Sequence, residues 1–151
     1  ELTPYADPNL CGSFTGVRAS HSKAHFTRAV LEGVCYSLLD SKLILDEIGI
    51  EYSKKATLIG GGSKSPLWRQ MIADVLGITL ITTENSDSSF GSAMLAGVAM
   101  GVFESSKDAV SKCVKRLSVT EPIYEHTEKY MKVFQQYKKI ANALKPIYDE
   151  R

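Results

Sequence analysis

The sequence has few cysteines, no long apolar run and no excess of charge of either sign. Its 18 Lys+Arg residues face 17 Asp+Glu residues, and this balance provides no general electrostatic attraction to nucleic acid or membrane surfaces. No apolar run approaches the roughly 18 residues that a membrane-spanning helix needs, since even Ala93–Val102 is short and interrupted by glycine. We therefore expect a soluble globular domain with no nucleic-acid partner and no membrane partner.

Cysteine usage indicates a reducing compartment. The three cysteines, Cys11, Cys35 and Cys113, are an odd number without CxxC spacing, which is unlike a disulfide framework or a zinc site. With no N-x-[ST] sequon either, we expect three free, buried thiols in the cytoplasm. Because the chain begins at Glu1 rather than at a methionine, we also expect further polypeptide upstream.

The first third of the chain divides into a loop and a long helix. Residues 1–20 contain Pro4, Pro8, Gly12 and Gly16, which predicts a loop that leads into a short strand or hairpin. From residue 22 to residue 48 the apolar residues recur every four positions. This spacing predicts one helix of about 25 residues.

A strand, a glycine turn and a helix follow in that order. Lys55–Ile59 is a strand candidate that runs directly into Gly60–Gly62. Ser65 can cap the next helix with Pro66 in its first position, and Gly77 stands just past its end. Proline at the start and glycine after the end of a helix are typical boundary signals.

A second unit of the same kind completes an α/β pattern. We predict a strand at Ile78–Thr82 and a glycine- and alanine-rich helix at Phe90–Met100, and this order is typical of parallel strands joined by crossover helices. Beyond Gly101 we expect the amphipathic helices Ser106–Leu117 and His126–Tyr148, with no further strand. The chain thus divides into a loop or hairpin (1–20), an α/β core (21–101) and a helical tail (102–151).

The three consecutive glycines are the strongest chemical signal. After a strand, glycine lets the backbone approach a ligand closely, and the following helix offers free N–H groups at its start. A tight turn without a ligand would explain one glycine better than three. The named phosphate-binding motifs fail, because Ser63 precedes Lys64 where a P-loop needs glycine and Ser65 takes the last glycine position of GxGxxG. A nucleotide without a standard motif is therefore the natural candidate ligand.

Two histidines four residues apart offer a weaker signal. His21 and His25 can share one helix face, as a pair of metal ligands does. No convincing third ligand is near them in the sequence. We therefore expect both to be capping histidines or histidines whose hydrogen bonds are satisfied locally.

Several segments in one order resemble the FGGY carbohydrate kinases. Gly12–Val17, followed after seven residues by His25–Glu32, resembles the second signature of that family. Leu58–Gly77 is similar to its adenosine-side segment, near the xylulokinase branch, and Phe90–Ala96 is similar to the helix that follows. The resemblance covers nearly the whole chain.

The resemblance implies part of the C-terminal lobe of an actin-like ATPase (ribonuclease H-like) fold, in which ATP and sugar meet between two lobes. The implied reaction transfers the ATP γ-phosphoryl group, with Mg²⁺, to D-xylulose or another ketopentose. By motif position Gly60, Gly61 and Gly62 would line the adenosine, Ser65 would face the base, and Gly91 would pack closely near the nucleotide. The implied partners are ATP, the sugar and the N-terminal lobe, and a homodimer is left open.

No residue of this chain is predicted to be catalytic. The family resemblance places the proton-accepting aspartate in the N-terminal lobe and a Gly-Thr-Ser phosphate loop earlier in the C-terminal lobe. Trp68 and Gln70 match the motif and are expected to pack and to form local hydrogen bonds, while Leu2 stands where the family usually has arginine. The alternatives are a family kinase that acts on ribulose, gluconate or glycerol, and a non-catalytic nucleotide-binding domain.

Overall fold

The computed structural model describes residues 4–85 and 87–150, so Leu2 and Thr3 lie outside the described residues. The chain divides into two compact units. We call residues 4–52, 74–77 and 122–150 the helical unit, and residues 53–73, 78–85 and 87–121 the sheet unit. The elements are α1 (Lys23–Glu47), β1 (Lys55–Thr57), a 3-10 turn (Gly61–Lys64), α2 (Pro66–Leu76), β2 (Thr79–Thr83), α3 (Ser88–Ala99), α4 (Ser106–Cys113), β3 (Arg116–Thr120) and α5 (Tyr124–Asp149).

An aromatic cluster forms the core of the helical unit. The ring of Tyr36 on α1 lies 6.1 Å from that of Phe134 and 5.3 Å from that of Tyr137, both on α5. Cys35 and Leu39 are fully buried on the same side of α1. Burial raises the pKa of the Tyr36 hydroxyl, since the ionised form would lose its hydration. The long helix that the spacing predicted is confirmed, with ends one residue inside the expected bounds.

Residues 4–20 contain no strand, contrary to the expected short strand or hairpin. Side-chain contacts hold the beginning of this loop instead of ladder hydrogen bonds. The Tyr5 hydroxyl donates to the buried Asp40 carboxylate at 2.7 Å, and Lys138 on α5 donates to the same carboxylate at 2.8 Å. Lys145 makes an ion pair with Asp7. Asp40 is 35 residues from Tyr5 in sequence and Lys145 is 138 residues from Asp7, so local patterning could not reveal these contacts.

The start of α5 is capped from another segment of the helical unit. Its N-cap residue, Ile123, has no side chain that could accept a hydrogen bond. The buried carboxylate of Asp74 accepts the Ile123 backbone N–H at 2.8 Å and contacts His126 Nδ1 at 2.9 Å. A carboxylate at a helix N-terminus is stabilising because it satisfies a free N–H and faces the positive end of the helix dipole.

The sheet has the order β1-β2-β3. The pairing of β1 with β2 is parallel, as the sequence predicted, with Ala56 opposite Leu80. The expectation of no strand after Gly101 is wrong, because β3 pairs antiparallel with β2 and α4 ends at Cys113. Leu117 and Val119 of β3 are 71% and 58% exposed. An exposed edge strand has no buried apolar face, so its sequence carries little strand signal.

The expectation of three buried thiols is correct for one cysteine. All three are free, but Cys35 is buried, Cys113 is half-buried and Cys11 is exposed in the N-terminal loop. Within the part of the chain that the structure describes, no helix combines the length and apolarity that crossing a bilayer requires.

We expect Phe134→Ala to lower the free energy of unfolding by about 3–5 kcal/mol, because removal of a buried aromatic ring leaves a cavity. Phe134 is 2% exposed at the centre of the aromatic cluster. The matched control is Val133→Ala on the same helix, where the side chain is 46% exposed and a change within about 0.5 kcal/mol is expected. Urea unfolding followed by far-UV circular dichroism measures both. Equal losses in the two variants would contradict this packing.

Candidate functional site

The glycine turn, residues 60–65, connects β1 to α2. The Leu58 N–H still donates to the Ile81 carbonyl at 2.8 Å, which continues the pairing with β2 beyond the end of β1. The chain then turns at Gly60, forms the 3-10 turn and enters α2 at Pro66. The turn therefore follows the carboxyl end of a strand in a parallel pair, which is where open α/β sheets bind ligands.

The three glycines of the turn serve different purposes. Gly60 has φ 84° and ψ −176°, a backbone conformation that is essentially restricted to glycine. At Gly62 a Cβ atom would lie 2.6 Å from Cζ3 of Trp68, so the indole ring excludes any side chain there. At Gly61 a Cβ would meet no described atom within 4 Å, and φ is not in the left-handed region. Neither backbone conformation nor packing within the described chain requires glycine at Gly61.

Two part-buried hydrogen bonds from side chains hold the turn. The Ser63 side chain, 8% exposed, donates to the Gly60 carbonyl at 2.7 Å. Arg69 Nη1 donates to the Ser63 carbonyl at 2.6 Å. Both residues contact backbone oxygen atoms, so the turn conformation depends on side chains that flank the glycines.

Ser65 caps α2. Its Oγ accepts the Trp68 backbone N–H at 3.3 Å, as expected for a serine before a helix-initiating proline. The proposed contact of Ser65 with a base stays a prediction. Its hydroxyl hydrogen is not used by this cap, because Oγ acts there as the acceptor.

Trp68 and Gln70 have the packing and hydrogen-bonding roles expected for them. The Trp68 ring lies against Gly62, and Gln70 Nε2 donates to the Glu121 carbonyl at 2.9 Å. These two contacts hold the part of α2 that belongs to the sheet unit.

Gly91 lies in the first turns of α3, which follows the carboxyl end of β2. The Asp87 carboxylate caps this helix by accepting the Ser89 N–H at 2.8 Å, and that hydrogen bond holds the pKa of Asp87 below its ordinary value. A Cβ at Gly91 would meet nothing within 4 Å. Glycine inside a helix costs about 1 kcal/mol relative to alanine, and packing among the described residues does not explain this cost.

The glycine turn carries positive charge without an acidic partner. Lys64 ends the 3-10 turn and is exposed, and Arg69, which contacts the Ser63 carbonyl, is half-buried. Among residues 4–85 and 87–150, neither forms an ion pair. Free N–H groups near a helix start together with two cations suit an anionic ligand.

His25 completes the capping box at the start of α1, whereas His21 closes a turn with Arg18 just before that helix. The Arg18 N–H donates to His21 Nδ1 at 3.2 Å, and the Ser22 N–H donates to His25 Nδ1 at 3.1 Å. Because Nδ1 is the acceptor in both neutral rings, Nε2 carries the hydrogen and has no lone pair for a metal. The described residues also contain no group of three His, Cys, Asp or Glu side chains that could hold a metal ion.

Two open surface depressions lie elsewhere, one on a face of α5 and one on a face of α1. Each is lined by a single helix, and neither includes a residue of the predicted site. A groove on one helix cannot enclose a ligand, so the glycine turn is the better candidate on chemical grounds.

Comparison with known proteins identifies relatives of this chain. The model of the FGGY family of carbohydrate kinases, C-terminal domain, matches residues 1–100. A xylulose kinase from Staphylococcus epidermidis is 36% identical over 148 residues, which is 97% of this chain and 30% of the relative. A gluconokinase from Bacillus licheniformis is 32% identical over 151 residues, or 99% of this chain and 29% of the relative.

A solved structure supports the same assignment. The crystal structure of a xylulose kinase from Lactobacillus acidophilus superposes with a TM-score of 0.84 at 28% identity, covering 97% of this chain and 30% of that one. The chain thus spans about 30% of the length of these relatives. The fold is that of the C-terminal lobe of the actin-like ATPases, as the motifs predicted. With a family model that matches 100 residues and relatives that align along nearly the whole chain, this protein belongs to the FGGY family of carbohydrate kinases.

Proposed function

We propose that this chain is the nucleotide-side part of an ATP-dependent sugar kinase that transfers the γ-phosphoryl group of ATP to D-xylulose. The observation that carries the proposal is Gly61, a glycine at the carboxyl end of a parallel strand that neither φ nor packing within the described chain requires. A ligand that approaches the backbone closely supplies the missing reason. The cations Lys64 and Arg69 favour an anionic ligand such as a nucleotide.

The proposed nucleotide contacts are Gly60, Gly61, Gly62, Ser65 and Gly91. The first four belong to the glycine turn, and Gly91 follows the neighbouring parallel strand. Because parallel strands end at the same edge of a sheet, ligands that span two such ends are common in this architecture. Such a site contributes positioning and charge neutralisation, which dominate the catalysis of phosphoryl transfer.

The identity of the sugar that accepts the phosphoryl group has less support than the identity of the nucleotide. The xylulose kinase relative is 36% identical and the gluconokinase relative 32% identical, which favours xylulose by a narrow margin. Ribulose, gluconate and glycerol are the rival acceptors. We expect the residues that contact the sugar, and the aspartate that accepts its proton, to lie in an N-terminal lobe.

Magnesium accompanies ATP in the proposed reaction, where it would neutralise phosphate charge. The described residues contain no group of three candidate ligands, so we assign the ion no ligand in this part of the chain.

The location and the partners of the protein are part of the same proposal. We propose a cytoplasmic enzyme in which this chain pairs with an N-terminal lobe, and a homodimer is a further proposal.

We expect Gly61→Val in the complete gene product to raise the KM for ATP by about tenfold or more, equivalent to about 1.4 kcal/mol of lost nucleotide binding. The KM for the sugar and the melting temperature should not change, because the added side chain meets open space. Gly60→Ala is the contrasting variant and should lower the melting temperature, since φ 84° is strained for alanine. Steady-state kinetics and thermal unfolding measure these effects. An unchanged KM for ATP in a folded Gly61→Val enzyme would remove the basis of the proposal.

We expect D-xylulose to give the highest kcat/KM in an acceptor panel that also contains ribulose, gluconate and glycerol. ADP formation in a coupled assay reports turnover for every acceptor with one enzyme preparation. A higher value for another sugar would reassign the acceptor within the family. ATP binding without turnover on any acceptor would favour a non-catalytic nucleotide-binding protein.

A further inference from the structure

We propose that Arg69 is a positioning residue that fixes the glycine turn for nucleotide binding. The inference rests on the proposed function, because it concerns the same turn. Arg69 lies in the first turn of α2, and its Nη1 donates to the Ser63 carbonyl at 2.6 Å. Its side chain thus connects the rigid helix to the centre of the turn.

The turn has few means of holding its own conformation. Three of its six residues are glycines, which lose more conformational freedom on folding than any other residue. Beyond the backbone bonding within the 3-10 turn itself, Gly61–Lys64, the Ser63 N–H donates to the Gly60 carbonyl at 3.1 Å and the Ser65 N–H to the Gly62 carbonyl at 3.2 Å. The Ser63 hydroxyl also donates to the Gly60 carbonyl. None of these bonds uses the Ser63 carbonyl, which is the atom that Arg69 holds.

The environment of Arg69 is unusual for a residue with a purely structural role. Its Nε is buried and has no hydrogen-bond partner among the described residues, and within those same residues the guanidinium has no carboxylate partner. Burying part of a cation without a counter-charge is unfavourable for folding. What Arg69 gains in return is a charge-assisted hydrogen bond to the Ser63 carbonyl, and such bonds are shorter and stronger than neutral ones.

The orientation of the turn follows from this bond. Arg69 holds the Ser63 carbonyl toward α2. Because Gly61 is only two residues earlier, its backbone is then held in the orientation in which the space beside its Cα atom is open. Trp68 restrains the same segment by excluding a side chain at Gly62. Arg69 therefore acts on the nucleotide through the backbone, without touching it.

A graded series of substitutions in the complete gene product tests this role. Arg69→Lys keeps a charged donor, Arg69→Gln keeps a neutral donor and Arg69→Met removes the donor while keeping most of the stem. We expect the KM for ATP, and the Kd for ADP by calorimetry, to rise by about tenfold or more in Arg69→Met. In Arg69→Lys both constants should stay within about threefold of the wild-type values. In Arg69→Gln they should lie between those of the Lys and Met variants. The KM for the sugar should not change.

The matched control is Arg116→Met, which removes an exposed arginine of β3 in the same unit and should leave both nucleotide constants unchanged. If Arg69→Met does not fold, the comparison of Arg69→Gln with Arg69→Lys replaces it. We then expect the KM for ATP and the Kd for ADP to be higher in the Gln variant than in the Lys variant. A purely structural role would lower the melting temperature and the active fraction, and hence kcat, with unchanged KM and Kd. If the variants lose stability and kcat in this way while the wild-type enzyme is active, the role of Arg69 is overturned and the proposed function is not affected. A wild type that neither binds ADP nor phosphorylates a sugar would overturn the proposed function itself.

Discussion

The close approach of the Trp68 ring to the Gly62 backbone constrains the glycine turn, on which most of the candidate site depends. A Cβ atom at Gly62 would come within 2.6 Å of the indole, so the turn and α2 can only pack in this way with glycine at that position. Trp68 is the single tryptophan of the chain, and its large ring restrains the turn from one side. Ser65, which caps α2, and Arg69, which reaches back to Ser63, connect the same two segments by hydrogen bonds. The turn is therefore held by the helix that follows it.

The helical unit relies on a different kind of restraint. Asp40 is 7% exposed and accepts hydrogen bonds from Lys138 and from Tyr5. A buried carboxylate is tolerated only when such partners satisfy it. The contact joins α1, α5 and the N-terminal loop, which have no backbone ladder in common. Long-range side-chain bonds thus supply the order that strands would supply in a sheet.

Much of the fold could be predicted from local patterns. The long helix α1, the strand before the glycines and the start of α2 at Pro66 all follow from apolar spacing and helix-boundary residues. The strand β3 could not be predicted in this way, because its pairing with β2 is the source of its order and its side chains stay exposed. The N-terminal loop, which the sequence predicts to lead into a short strand or hairpin, contains no strand in residues 4–20. Its partners on α1 and α5 are distant in sequence.

At the candidate site, the sequence pattern indicated that the three glycines form a ligand-binding turn, but it could not assign a separate role to each glycine. A strand followed by Gly60–Gly62 and a capped helix indicated a ligand, whereas the reason for each glycine depends on φ and on Trp68, which only the structure shows. The contact of the Arg69 side chain with a backbone carbonyl six residues away could not be predicted either, because it leaves no sequence signal.

Open space beside a glycine is informative only together with its place in the fold. Within α3, a Cβ at Gly97 would lie 2.7 Å from the Phe103 ring, so packing explains that glycine, whereas Gly91 has no such neighbour. Gly33 in the middle of α1 also has no atom within 4 Å of a Cβ, yet it lies on a helix and far along the chain from any strand end. What distinguishes Gly61 and Gly91 is that each follows the carboxyl end of one of two parallel strands. Because N–H groups at such ends can hold an anion without a large basic surface, a chain with a formal net charge of +1 can still provide a nucleotide site.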